Sequence, residues 1–220
     1  NHSSPRSRFG RRNGPIAATD ITLRHRMSAA HGSYRHLVQF YDDDAALVGT
    51  VAAFLRDGFL LGEPALVIAR PHHREGISRQ LAALGIDVAT AKRFGDFQLL
   101  DAEDTLALFM VDAAPDPTLF SDQLTTIFEQ VAATHPGKRV RAYGEMVDVL
   151  WQRGDAEAAI RVEVLWNELA LTHRFSLLCG YAVGHFFKQS SGRRAVCEHH
   201  THLVDGPADL PFDRRLLRIS

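Results

Sequence analysis

The chain is expected to fold as an α/β domain, with a largely parallel central sheet and helices on both faces. Three observations predict this. Predominantly apolar runs such as PALVIA at 64–69 and RFSLLCGY at 174–181 read as strands buried on both faces. Stretches of helical period separate them, and in the best, 155–173, Ala158, Val162, Leu165 and Leu169 share one stripe. A length of 220 residues at 45% hydrophobic content suffices for one substantial core. Strands alternating with helices place the strands parallel and cover the sheet from both sides.

Taken in order, residues 1–33 are rich in Ser, Arg, Gly and Asn, show no apolar period and read as a flexible basic arm. HLVQFY at 36–41 is strand-like. Asp42 is a suitable N-cap for a helix running to about Leu61, with Asp43 and Asp44 in its first turn. After PALVIA comes a helix with Pro71 near its start and Gly85 past its end. DFQLLDA at 96–102 is a strand, followed by helices at about 103–111 and 117–134. The segment 138–154 reads as strand, Gly144 and a short helix. Beyond the strand at 174–181, VCEHHTHLV reads as extended, and 205–220 as an irregular tail, which leaves 34–204 as the folded body.

Composition excludes several classes of function. No stretch approaches the ~20 apolar residues of a spanning helix, and no signal-peptide pattern opens the chain, so a cytoplasmic, membrane-free domain is expected. Two cysteines, Cys179 and Cys197, make no disulfide framework. The formal charge of −1 hides an asymmetry: residues 1–35 hold seven arginines against Asp20, and the rest carries 18 basic and 25 acidic residues. That body is too acidic for a nucleic-acid surface.

In open α/β sheets ligands bind beyond the carboxyl ends of the strands. Those positions hold Tyr41 and Asp42, then Arg70, His72 and His73, then Tyr143, Gly144 and Glu145, then Cys179, Gly180 and Tyr181. No phosphate-cradling glycine loop and no G-x-S-x-G elbow occurs. The three aspartates at the first strand-to-helix turn would repel a phosphate, so no NTPase activity is expected. Glu145 is either a ligand acceptor or a helix-start acid. Glu163 and Asn167 lie four apart, at the edge of an apolar stripe. Cys179 suits a core position, and Tyr41 and Tyr181 suit a pocket wall or a core edge. The run CEHHTH invites a metal reading, but on an extended segment neither face offers four ligands. Asp42–Asp44 are explained by capping. No metal and no particular cofactor is expected.

HLVQFYDDD, RAYGEM, EVLWNEL and LCGY, followed by the histidine of EHH, occur here in an order and at distances that resemble the MEDS domain, a sensory domain of methanogens, methylotrophs and DcmR-type regulators. The likeness spans about 34–204. It implies a RecA/KaiC-like three-layer sandwich with a degenerate nucleotide site that lacks its phosphate loop. It also implies a module that senses small organic molecules for histidine kinases, transcription regulators or anti-sigma-type partners. The motif positions carried over are His36, Phe40, Tyr41, Arg141, Glu145, Met146, Glu163, Asn167, Cys179, Tyr181 and His200. Neither 1–35 nor 205–220 is long enough for an output domain, so output is expected to pass to a separate chain, unless this chain is part of a longer one.

The resulting expectation is one ligand pocket at the carboxyl edge, with Tyr41, Tyr181 and Phe40 as apolar walls and His36, Glu145, Glu163 and Asn167 as orienting polar groups. Its alternatives are a ligand-free interaction domain, including a homodimer, and an enzyme using the Glu145 and Cys179 cleft.

Overall fold

The structure is a computed structural model that describes residues 34–186, 190–206 and 210–219; the basic arm expected over 1–33 lies outside them. The strands are β1 (Arg35–Tyr41), β2 (Ala65–Ala69), β3 (Phe97–Asp101), β4 (Met110–Val111), β5 (Ala114–Pro115), β6 (Val140–Gly144), β7 (Phe175–Ala182), β8 (His202–Val204) and β9 (Leu216–Arg218). The helices are α1 (Asp44–Leu60), α2 (Pro71–Ala83), α3 (Val88–Phe94), α4 (Ala102–Ala107), α5 (Pro117–Ala132), α6 (Met146–Gln152), α7 (Ala156–Leu169) and α8 (Ser190–Glu198).

Seven strands form one sheet in the order β3-β2-β6-β7-β1-β8-β9, parallel throughout except where β9 runs antiparallel to β8. The apolar runs lie inside it: every residue of β2 is buried, as are the first seven of β7. One face packs against α1, α2 and α3 through Leu37, Val67, Tyr143 and Leu178. The other packs against α4, α5, α6 and α7 through Val38, Ile68, Ala142 and Cys179. Neighbouring residues of a strand thus serve opposite layers, as the two-residue period of a strand requires. This is the three-layer α/β architecture that the alternating pattern predicts.

The local chemistry follows the sequence closely at the helix starts. The α1 cap is Asp43, one residue later than expected, with its carboxylate accepting from the Ala46 amide at 2.9 Å. The α7 stripe of Ala158, Val162, Leu165 and Leu169 is buried along its length.

Four segments differ from expectation. The helix expected at about 103–111 ends at Ala107, and Met110–Val111 pair antiparallel with Ala114–Pro115. Between Gly85 and Gly95 lies α3, capped by Asp87 and closed by the left-handed Gly95. VCEHHTHLV is not one extended segment: Val196–Glu198 complete α8, and only His202–Val204 are strand. The tail is ordered in part, because Phe212 inserts between β-sheet and α1 against Phe54, and β9 zips onto β8. Apolar Phe212 and Leu216 supply the reason: both pack against the core layer under α1. Among the described residues no helix is long and apolar enough to cross a membrane.

Candidate functional site

The expected single pocket divides in two, because the residues assigned to it alternate between the sheet's faces. His36 and Phe40 on β1, and Cys179 and Tyr181 on β7, point toward the α7 layer, whereas Tyr41 points toward α1 and α2.

The first assembly lies at the carboxyl edge, where β1, β2, β6 and β7 end. An open cleft of about 620 Å³ is lined there by Tyr41, Asp44, Arg70, His72, Asp148 and His185, among others. Asp148, on the first turn of α6, is buried beneath it. Its Oδ2 accepts from Arg70 Nη1 at 2.9 Å and from the Tyr41 hydroxyl at 3.3 Å, and its Oδ1 accepts from the Ala182 amide at 2.9 Å. His185 Nδ1 also lies 2.9 Å from Oδ1. Arg70 reaches on to Gln152 Oε1 at 3.1 Å.

Glu145 lies deeper and is fully buried. Its Oε1 accepts from the Arg70 backbone amide. Its Oε2 faces His73 Nδ1 at 2.5 Å and accepts from the Tyr143 hydroxyl at 3.2 Å. His73 Nε2 in turn lies 3.4 Å from Asp44. Burial alone would lower the His73 pKa, but the hydrogen bond to Glu145 and the charges of Glu145 and Asp44 outweigh it and raise it. Burial, then Asp148 and Glu145, push the Tyr41 hydroxyl up, so it stays protonated and donates. The layer beneath is tight: a Cβ on Gly180 would stand 2.7 Å from the Tyr143 hydroxyl.

The second assembly is a closed cluster between β1, β7, α7 and the segment after α8. His36, Glu163, Cys179, Tyr181 and His200 are all buried, with Asn167 nearly so. Glu163 Oε1 accepts from the Tyr181 hydroxyl at 2.5 Å, and its Oε2 lies 3.1 Å from His36 Nε2. Cys179 Sγ is 3.4 Å from His36 Nε2 and 3.8 Å from Glu163 Oε2. Burial would raise the Glu163 carboxyl, but the imidazoles and the Tyr181 hydroxyl hold it down at about 2. Burial and the adjacent His36 hold His200 at about 3, so near neutrality it is uncharged and Glu163 is the ionised member. Burial and the Glu163 charge push the Cys179 thiol up.

Of the residues expected to form one pocket, Tyr41 lines the cleft and Glu145 supports it through Arg70 and His73. Six others (His36, Glu163, Asn167, Cys179, Tyr181 and His200) form the closed cluster instead. Phe40 and Tyr181 give the cleft no apolar wall: Phe40 packs edge-on to Phe186 at 5.4 Å under Arg193, and Tyr181 is buried. Arg141 belongs to neither. It sits three residues before the end of β6, about 10 Å from that end at ~3.3 Å per residue, where it bonds Glu63 at 2.6 Å and stacks over Phe54. Met146 is core. Sequence reasoning missed Asp148 and His185. Asp148 resembles an ordinary first-turn acid, and its position one helical turn after Glu145 is the only signal that could have found it.

Comparison with known proteins bears on this arrangement. The model of the family MEDS, the methanogen/methylotroph, DcmR sensory domain, matches residues 35–201. A solved structure that aligns with the chain is a KaiC-like protein from the hyperthermophilic archaeon Pyrococcus horikoshii OT3. The alignment has a TM-score of 0.48 and 13% identity, and covers 78% of this chain and 72% of that one. No curated protein matches.

Proposed function

This chain belongs to the MEDS family of sensory domains, and we propose that it senses a small polar organic molecule bound in the cleft at the carboxyl edge of its sheet. The observation that carries the reading is Asp148. A single buried carboxylate gathers Arg70, Tyr41 and the Ala182 amide from the ends of β2, β1 and β7, and so ties the cleft floor to α6. A concave site with a few fixed polar groups at this edge is the usual construction of a ligand pocket in such sheets.

The lining decides the ligand chemistry. With Phe40 and Tyr181 elsewhere, the walls offer guanidinium, imidazole and carboxylate groups, which favour short alcohols, amines and carboxylates over bare hydrocarbons. Arg70 is 17% exposed at its side chain, so a ligand carboxylate or hydroxyl can compete with Asp148 for it. Drawing Arg70 away would loosen α6, and a ligand that binds the loosened arrangement better shifts the population toward it. The output then runs to a regulatory partner of the histidine kinase, transcription or anti-sigma type. On this reading the chain does not turn over nucleotides, since Asp43 and Asp44 occupy the helix start where phosphate would bind.

The test is thermal unfolding of the whole chain with methanol, methylamine, formate and acetate as probes, in the natural sequence and in Arg70→Ala. At least one probe is expected to raise the midpoint in a saturable way, with the effect lost in Arg70→Ala. A shift that persists undiminished in Arg70→Ala, or no shift with any probe, would overturn the assignment of the cleft.

A further inference from the structure

The closed cluster under α7 takes no part in the cleft, and its chemistry calls for something else. We propose that His36, Glu163, Cys179 and His200 bind one divalent metal ion of the zinc class, at a site enclosed within the domain.

Hydrogen bonding fixes the direction of the ligand atoms. The Asn167 amide donates from Nδ2 to the His199 carbonyl at 3.0 Å, which turns its Oδ1 toward His36 Nδ1, also at 3.0 Å. An amide oxygen only accepts, so His36 Nδ1 carries the proton. His200 Nδ1 donates to the Val196 carbonyl at 2.8 Å by the same reasoning. Both imidazoles therefore turn the Nε2 edge toward Glu163. This is how metal-bound histidines are held, with the outer nitrogen anchored to a carbonyl or amide and the inner one free to ligate.

What faces both nitrogens is a carboxylate, which only accepts. His36 Nε2 lies 3.1 Å from Glu163 Oε2, and His200 Nε2 lies 3.5 Å from Glu163 Oε1. His200 Nε2 has no hydrogen-bond partner although the residue is only 1% exposed. The Tyr181 hydroxyl and the Cys179 thiol both donate to Glu163, so neither satisfies His200 Nε2. A cation at the centre does.

The spacing agrees. One ligand atom from each of the four residues lies within 4.8 Å of all the others. Around tetrahedral zinc, with bonds of ~2.0–2.3 Å, ligand atoms stand about 3.3–3.6 Å apart. Here His36 Nε2 stands 3.1 Å from Glu163 Oε2 and 3.4 Å from Cys179 Sγ, Cys179 Sγ stands 3.8 Å from Oε2, and His200 Nε2 stands 3.5 Å from the other carboxylate oxygen, Oε1. Charge agrees too. Binding displaces the thiol proton of Cys179 to solvent, and thiolate, carboxylate and two neutral imidazoles then balance a dication in a site that water does not reach. Four protein ligands close the coordination sphere, so the ion is structural, joining β1, β7, α7 and the segment after α8. His200 is the one member of the CEHHTH run that takes part.

The test is titration of the chelator-stripped full chain with Co²⁺ alone. The expected result is one equivalent bound, with a thiolate-to-metal charge-transfer band and the strong visible bands of tetrahedral cobalt. Zinc should displace cobalt and raise the unfolding midpoint. Cys179→Ala should lose the charge-transfer band and His200→Gln should weaken binding at least tenfold, while Cys197→Ser and His72→Ala leave the spectrum unchanged. Absence of the charge-transfer band in the natural sequence would overturn the site whatever the variants do. So would its loss in Cys197→Ser, or cobalt binding that His72→Ala abolishes.

Discussion

The Arg70–Asp148 pair should be strongly coupled energetically, because it joins the end of β2 to α6 with one partner buried. Asp148 is 1% and Arg70 17% exposed, and the contact is 2.9 Å. Two unit charges about 4 Å apart attract by ~4 kcal/mol at an effective dielectric constant of 20. Desolvation of the carboxylate opposes this, which leaves a coupling of about 2 kcal/mol. Asp148→Ala loses more than the pair, since the Tyr41 hydroxyl and the Ala182 amide also lose their acceptor. Removing one partner of a buried pair costs ~3–5 kcal/mol, and the open cleft lets water soften the loss toward the lower figure. Arg70→Ala leaves Asp148 with two donors and should cost ~2 kcal/mol. The double variant should therefore be about 2 kcal/mol more stable than the sum of the single losses implies. Urea unfolding of the four proteins measures this directly. A coupling below ~0.5 kcal/mol, the value of an exposed surface pair, would refute the central place given to Asp148.

Other expectations follow from the same geometry. Gly180→Ala puts a methyl 2.7 Å from the Tyr143 hydroxyl and 3.2 Å from Leu47, so urea unfolding should show a loss of ~1–3 kcal/mol from overpacking; a gain would mean the layer gives way. Trp166→Ala removes the ring that Phe120, Phe128 and Phe175 enclose at 5.3–6.1 Å, at ~3–5 kcal/mol, and calorimetry should find the domain near its stability limit. His73 titrates above its ordinary value despite burial, through Glu145 and Asp44. Its protonated form thus adds stability that is complete below the unfolded value of about 6.5 and is lost as pH rises through the folded pKa. The natural sequence should lose more stability than Glu145→Gln between pH 6.5 and 9, and parallel profiles would contradict that linkage.

Much of the fold was legible because buried parallel strands announce themselves: PALVIA and RFSLLCGY are apolar on both sides, and α7 carries an unbroken stripe. What escaped lacked such contrast. Only Ala91 of α3 is buried, so DVATAKRFG shows little period, although Asp87 and Gly95 mark its ends. The CEHHTH run reads as extended because its polarity hides the change from helix to strand. At the site, the residue types were found but not their grouping. Strand parity separates His36 from Tyr41 by the sheet itself, and that alternation was available in the sequence. The meeting of Glu163 with His36 was not, because it depends on β7 lying beside β1, a neighbourhood that sequence order does not reveal. His185 has no distinguishing pattern and Asp148 only its place one turn after Glu145; both acquire importance once four strand ends converge.

The most direct test of the cleft as the sensory site is amide chemical-shift mapping on the isotope-labelled full chain, titrated with formate, acetate, methylamine and methanol in turn. The account predicts saturable shifts for at least one probe, concentrated at Tyr41, Arg70, His72, Asp148, Gly184 and His185 and fading across α6. Saturable shifts that instead centre on another surface, or spectra unmoved by all four probes, would contradict it.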